Sequence, residues 1–118
     1  MKTILILGNA SRAREYADLL RAGGARVVAS ESVENGLSEI LAVRPDAVAI
    51  ILPQYFSSAT ALVEAVRRHE DINKTPIVYV GGMIEGADMS ILQRYGVKTM
   101  TLGPVTPSEI VRFILKMV

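Results

Sequence analysis

Residues 8–14 read Gly-Asn-Ala-Ser-Arg-Ala-Arg, a small-residue turn that runs into a helical pattern. A helix N-terminus presents free N–H groups and the positive end of its dipole, and both attract anions. Gly8 would let the backbone come close, and Asn9, Ser11, Arg12 and Arg14 would add donors. The segment is thus a candidate anion site, for a phosphate or a nucleotide. The same residues read equally well as a helix cap, from Asn9 or Ser11, followed by solvated arginines. The spacing is neither a P-loop nor GxGxxG.

The remaining candidates carry less chemistry. Residues 81–88, Gly-Gly-Met-Ile-Glu-Gly-Ala-Asp, form a glycine-rich loop that could bend over a ligand or simply turn after a strand. Residues 54–56, Gln-Tyr-Phe, place two aromatics in a loop, either to anchor a partner or to fold inward. His69, the only histidine, stands near a helix end with no partner at a suggestive spacing. There is no cysteine, which excludes thiol catalysis, thiolate metal sites and disulfides. With no nucleophile–base pair and no metal cluster, the sequence predicts no catalytic residue, no metal and no cofactor.

Composition narrows the class. The 118 residues suit one domain, 1–118, and half of them are hydrophobic, enough for a substantial core. The 13 Lys and Arg are mixed with 12 acids for a net charge of +1, so nucleic-acid binding has no electrostatic footprint. The N-terminal apolar run is too short for a signal peptide, and no run approaches the roughly 18 residues of a membrane span. A cytoplasmic domain is the expectation.

The elements that position these residues follow from the apolar runs. Runs at 4–7, 26–29, 47–52, 77–80 and 99–102 are mostly continuous, as in parallel strands covered on both faces. Helical patterns lie between them at 11–22, 33–43, 57–69, 87–95 and 107–117. The punctuation agrees: Gly23-Gly24 stops the first helix, Pro45 the second, and Thr106-Pro107-Ser108-Glu109 is a capping box. Strict alternation means an α/β fold, a five-stranded parallel sheet doubly wound by helices. Ligands of such sheets bind beyond the carboxyl ends of the strands. There the chain places Gly8-Asn9, Ile51, Gly81-Gly82 and Gly103-Pro104, none of them charged. The stretch 46–56, Asp-Ala-Val-Ala-Ile-Ile-Leu-Pro-Gln-Tyr-Phe, is the clearest case: a buried strand entering a loop with nothing reactive at its end.

Four segments carry a resemblance: Thr-Ile-Leu-Ile-Leu-Gly-Asn at 3–9, residues 44–53 with their Pro-Asp lead-in, residues 75–82, and Tyr-Gly-Val-Lys-Thr-Met-Thr-Leu-Gly-Pro-Val at 95–105. In this order and at these separations they resemble the CheY-like receiver domain of bacterial response regulators over almost the whole chain. The resemblance implies the flavodoxin-like strand order 2-1-3-4-5. It also implies which positions should act. A working receiver has an acidic pair where this chain has Gly8 and Asn9. It has a phosphoacceptor Asp at Ile51, a Ser or Thr at Gly81, a Lys at Gly103 and an aromatic switch residue at Met100. Phosphoryl transfer needs charge neutralisation and hard oxygen ligands for Mg²⁺, which these side chains do not offer. The resemblance therefore implies a pseudo-receiver of two-component signalling, non-catalytic and independent of phosphorylation. The alternative is a sensor of a small anion or nucleotide at the Gly8–Arg14 turn.

The last helix suggests how such a module would act. In residues 110–118 only Arg112 and Lys116 are polar. Ile110, Ile114 and Met117 would face the sheet, leaving Val111, Phe113 and Leu115 off that stripe. A helix apolar nearly all round is usually covered on more than one side. The resemblance implies association through the face of the fourth and fifth helices and the fifth strand, which adds Met89 and Met100 to the expected contact surface, for a second copy or another protein, or for a domain following Val118.

Overall fold

The computed structural model describes residues 1–8, 10–53, 55–101 and 106–118, with only the backbone described at Ala10 and Thr101. Strands and helices alternate: β1 (Thr3–Gly8), α1 (Ala10–Ala22), β2 (Arg26–Ser30), α2 (Gly36–Val43), β3 (Ala47–Leu52), α3 (Ser57–Arg68), β4 (Ile77–Gly81), α4 (Gly86–Arg94), β5 (Lys98–Thr101) and α5 (Pro107–Met117). The strands form one parallel sheet in the order β2-β1-β3-β4-β5. The order expected from the sequence holds.

Alternation along each strand divides the core into two layers. Ile4, Ile6, Ala49, Ile51, Val78 and Val80 pack with Tyr16 and Leu20 of α1 and Ile110 and Ile114 of α5. Leu5, Leu7, Val48, Ile50, Leu52 and Tyr79 pack with Ile40 of α2, Leu62, Val63 and Val66 of α3, and Leu92 of α4. All six residues of β3 are buried, as its unbroken apolar run requires of a central strand. Each fully buried Ile or Leu contributes about 1.5–3 kcal/mol relative to an exposed one, so this strand is the main anchor of both layers.

Polar contacts set the element ends. Asp46, in the Pro-Asp lead-in, accepts through Oδ2 from the Thr3 N–H at 2.8 Å and so fixes the start of β1 against β3. Arg44 ends α2 in the left-handed conformation, φ 52°, with its N–H on Ile40 O. Arg67 donates to the carbonyls of Tyr95 at 2.9 Å and Thr75 at 2.7 Å, joining α3 to the end of α4 and the approach to β4. Thr106 caps α5 through the Glu109 N–H at 3.2 Å. One expected helix starts later than its apolar pattern: α2 begins at Gly36 rather than at residue 33. Ser32 Oγ accepts from Asn35 N, and Gly36 N donates to Val33 O, so a turn occupies this stretch while Val33 still reaches the core.

Candidate functional site

The carboxyl ends of β1, β3 and β4 meet at a rim where backbone, not side chains, makes the close contacts. Gly8 pairs with Ile51, and Leu52 with Gly81, so β3 continues one residue beyond Ile51. Gly8 has φ +137°, and a Cβ there would stand 1.9 Å from the Ile51 carbonyl oxygen. Gly81 has φ +157°, and its Cβ would stand 1.8 Å from the Leu52 carbonyl oxygen. Only glycine fits either position, because the backbone conformation disfavours L side chains and the neighbouring carbonyl fills the space. Ile51 is fully buried in the layer under α1 and α5. Asn9 and Gly103, the other two positions singled out at this rim, lie outside the described residues.

Beside this closed rim is a hydroxyl network that the sequence did not reveal. Tyr55, in the loop after β3, hydrogen-bonds the hydroxyl of Thr60 in α3, and Thr60 Oγ1 donates to Asp88 Oδ1 of α4 at 2.9 Å. The Tyr55 ring meets that of Tyr79 edge-on at 5.4 Å, and the Tyr79 hydroxyl donates to the Gly82 carbonyl at 2.7 Å. Burial pushes the Tyr79 phenol up to about 12 and raises that of Tyr55 as well. Both rings are therefore neutral hydroxyls that tie the loops after β3 and β4 together. The two aromatics of 54–56 thus divide: Tyr55 turns inward, and Phe56 stays 53% exposed. Met83 in the glycine-rich loop is 85% exposed. Gln54 lies outside the described residues. His69 ends α3 and accepts the Asp71 N–H on Nδ1, an ordinary turn.

The candidate anion residues separate. Ser11 and Arg12 are exposed on the first turn of α1 and are not among the residues that line the α1–β2 cleft. Arg14, one turn further, lines a cleft of about 290 Å³ between α1 and β2, with Gly8, Ala13, Ala17, Arg21, Ala29, Ser30 and Glu31. The legible clue was the spacing of Ala13, Arg14, Ala17 and Arg21, small and cationic positions on one side of α1. Ser30 ends the edge strand β2 and Glu31 follows it, and neither carries such a pattern. Among the described residues, no group of three His, Cys, Asp or Glu could hold a metal ion.

The expected contact surface also separates. Val111 is buried, 6% exposed, in the layer shared with α1, which corrects its assignment to an open face. Leu115 packs beside Gly23 at the end of α1: a Cβ on Gly23 would stand 2.6 Å from its Cδ1. The physical reason is that α5 lies against α1 as well as the sheet, so its apolar arc has two internal partners. Phe113, Met89 and Met100 are each half-buried. The Met89 sulfur accepts from the Thr99 hydroxyl at 3.8 Å.

No protein-family model matches the chain, and no curated protein matches it. Solved structures do. The chain is similar to the chemotaxis protein CheY4 of Vibrio cholerae, with a TM-score of 0.82, 16% identity, and 100% of this chain and 99% of that one covered. It is similar to the signal receiver domain of a signal transduction histidine kinase from Syntrophus aciditrophicus, with a TM-score of 0.81, 14% identity, and 99% and 89% coverage. A CheY-like response regulator receiver domain protein from Methanospirillum hungatei gives a TM-score of 0.81, 17% identity, and 98% and 92% coverage. Likeness at such low identity is likeness of fold, and it agrees with the strand order and the two helical layers. The chain has the fold of a CheY-like response-regulator receiver domain.

Proposed function

We propose that the chain is a pseudo-receiver, a non-catalytic signalling module that acts by protein contact and independently of aspartyl phosphorylation. The observation that carries this reading is the Gly8–Ile51 contact. The two positions expected to supply a metal-binding acid and the phosphoacceptor are a glycine locked against a carbonyl and an isoleucine with 0% exposure. The Mg²⁺ that accompanies phosphorylation in this fold does not fit these residues, since neither bears a side-chain oxygen donor. Gly81 has no hydroxyl to follow a phosphoryl group, and no Cβ could be added there without moving β3.

The contact reading rests on the flank of α5 that remains partly open, Phe113, with Met100 and Met89 toward the β5 edge. Its occupant is a second copy or another signalling protein. The net charge of +1 provides no footprint for nucleic acid. Among the described residues, no helix is long and apolar enough to cross a membrane. The test is sedimentation velocity over a concentration series, with Phe113→Asp as the variant. The expected result is reversible association by the wild type and its loss in the variant, with unchanged far-UV circular dichroism. Association that persists in folded Phe113→Asp would contradict this surface.

The alternative, an anion sensor at the Gly8–Arg14 turn, keeps one observation in its favour: the cleft that Arg14 and Gly8 share.

A further inference from the structure

The α1–β2 cleft is built differently from the rim. Its lining includes four small residues, Gly8, Ala13, Ala17 and Ala29, and three charged ones. Of the charges, Arg21 is engaged internally: it donates to the Val27 carbonyl at 3.3 Å and lies 3.8 Å from Asp18. Arg14 on α1 and Glu31 after β2 have no hydrogen bond or ion pair with any described residue, and they do not meet each other. The Ser30 hydroxyl accepts from the Ser32 N–H at 3.4 Å and donates to no acceptor among the described residues.

We propose that this cleft binds a small zwitterion, a free α-amino acid, with its carboxylate on Arg14 and Ser30 and its ammonium on Glu31. A guanidinium and a hydroxyl are matched donors for a carboxylate, and a carboxylate is the matched acceptor for an ammonium. A simple anion would meet Glu31 as a like charge. A simple cation would meet Arg14 in the same way. A molecule carrying both charges satisfies both walls at once. The alanines leave apolar room for a side chain, and about 290 Å³ lies at the small end of ligand pockets, suited to a molecule of amino-acid size. Phe113 is not among the residues that line the cleft, so the site stands or falls independently of the contact surface.

The experiment is amide NMR of the labelled full chain titrated with each of the twenty amino acids. For the best binder, the matching carboxylic acid without the amino group and the matching amine without the carboxylate are then compared. The expected result is saturable shifts at residues 13–21 and 29–31 with at least one amino acid. Each half-molecule, and each of Arg14→Gln and Glu31→Gln, should bind about tenfold or more weakly, the scale of one charged hydrogen bond. The spectra of both variants away from the cleft should match the wild type, since neither residue has a partner among the described residues. No saturable shifts with any amino acid would overturn the proposal. So would an amine-free acid that binds as well as its amino acid, or affinity unchanged in Arg14→Gln.

Discussion

At the scale of the residue, Gly8, Ile51 and Gly81 decide what the rim can do. Restoring receiver-type side chains one at a time should damage the fold rather than create a site. Gly8→Asp places a Cβ 1.9 Å from a carbonyl oxygen in a conformation that only glycine adopts freely. The expected cost is roughly 3 kcal/mol or more, combining backbone strain and overpacking. Gly81→Ser should cost a similar amount. Gly86→Ala is the matched control, since a Cβ there meets nothing within 4 Å, and it should be neutral or slightly stabilising. Urea denaturation of the three variants checks the contrast. The sequence showed that these positions lack reactive groups. It did not show that the backbone has closed around them, because a glycine's φ follows from the neighbouring strand and not from its own side chain.

The tyrosines give a pH dependence at the same scale. Burial raises the phenols of Tyr16, Tyr55 and Tyr79, the last to about 12 from the ordinary 10. The folded chain therefore holds these protons at pH values where the unfolded chain has released them. The stabilisation is fully present below pH 10 and is lost as pH rises from 10 towards 12. For Tyr79 the loss is at most on the order of 3 kcal/mol. Thermal melts between pH 9 and 11.5 should show the fall, and Tyr79→Phe should make it shallower. A melting temperature that rose over this range would contradict the burial of these hydroxyls.

At the scale of the element, two connections matter most. Thr60 is buried and joins Tyr55 to Asp88, so one hydroxyl links α3, α4 and the loop after β3. Thr60→Val keeps the shape but leaves two partners unsatisfied, and it should cost about 1–3 kcal/mol in chemical denaturation. The same variant should speed amide exchange in the loop after β3 and at the start of α4. Helix α5 is the other connection. Its near-continuous apolar run was legible and correctly implied more than one covered side. The second cover includes α1, which takes Val111 and Leu115, and sequence periodicity could not name that neighbour. The later start of α2 has a related cause: Val33 satisfies the apolar pattern from within a turn held by Ser32 and Gly36.

At the scale of the whole molecule, the fold was almost fully legible. Continuous apolar strands, helical patterns and glycine or proline stops recur in strict order, and each local signal agrees with the parallel sheet. What remained hidden were the contacts made across distance, the Tyr55–Thr60–Asp88 network and the α1–β2 cleft, because their residues lie far apart in the chain. The central claim is that this receiver fold carries no phosphorylation site. The most direct measurement is an amide NMR titration of the full chain with Mg²⁺ followed by beryllofluoride, a mimic of the aspartyl phosphate. The account predicts no saturable shifts at Gly8, Ile51, Leu52 or Gly81 with either addition. Saturable shifts at those residues that require both Mg²⁺ and beryllofluoride would contradict it.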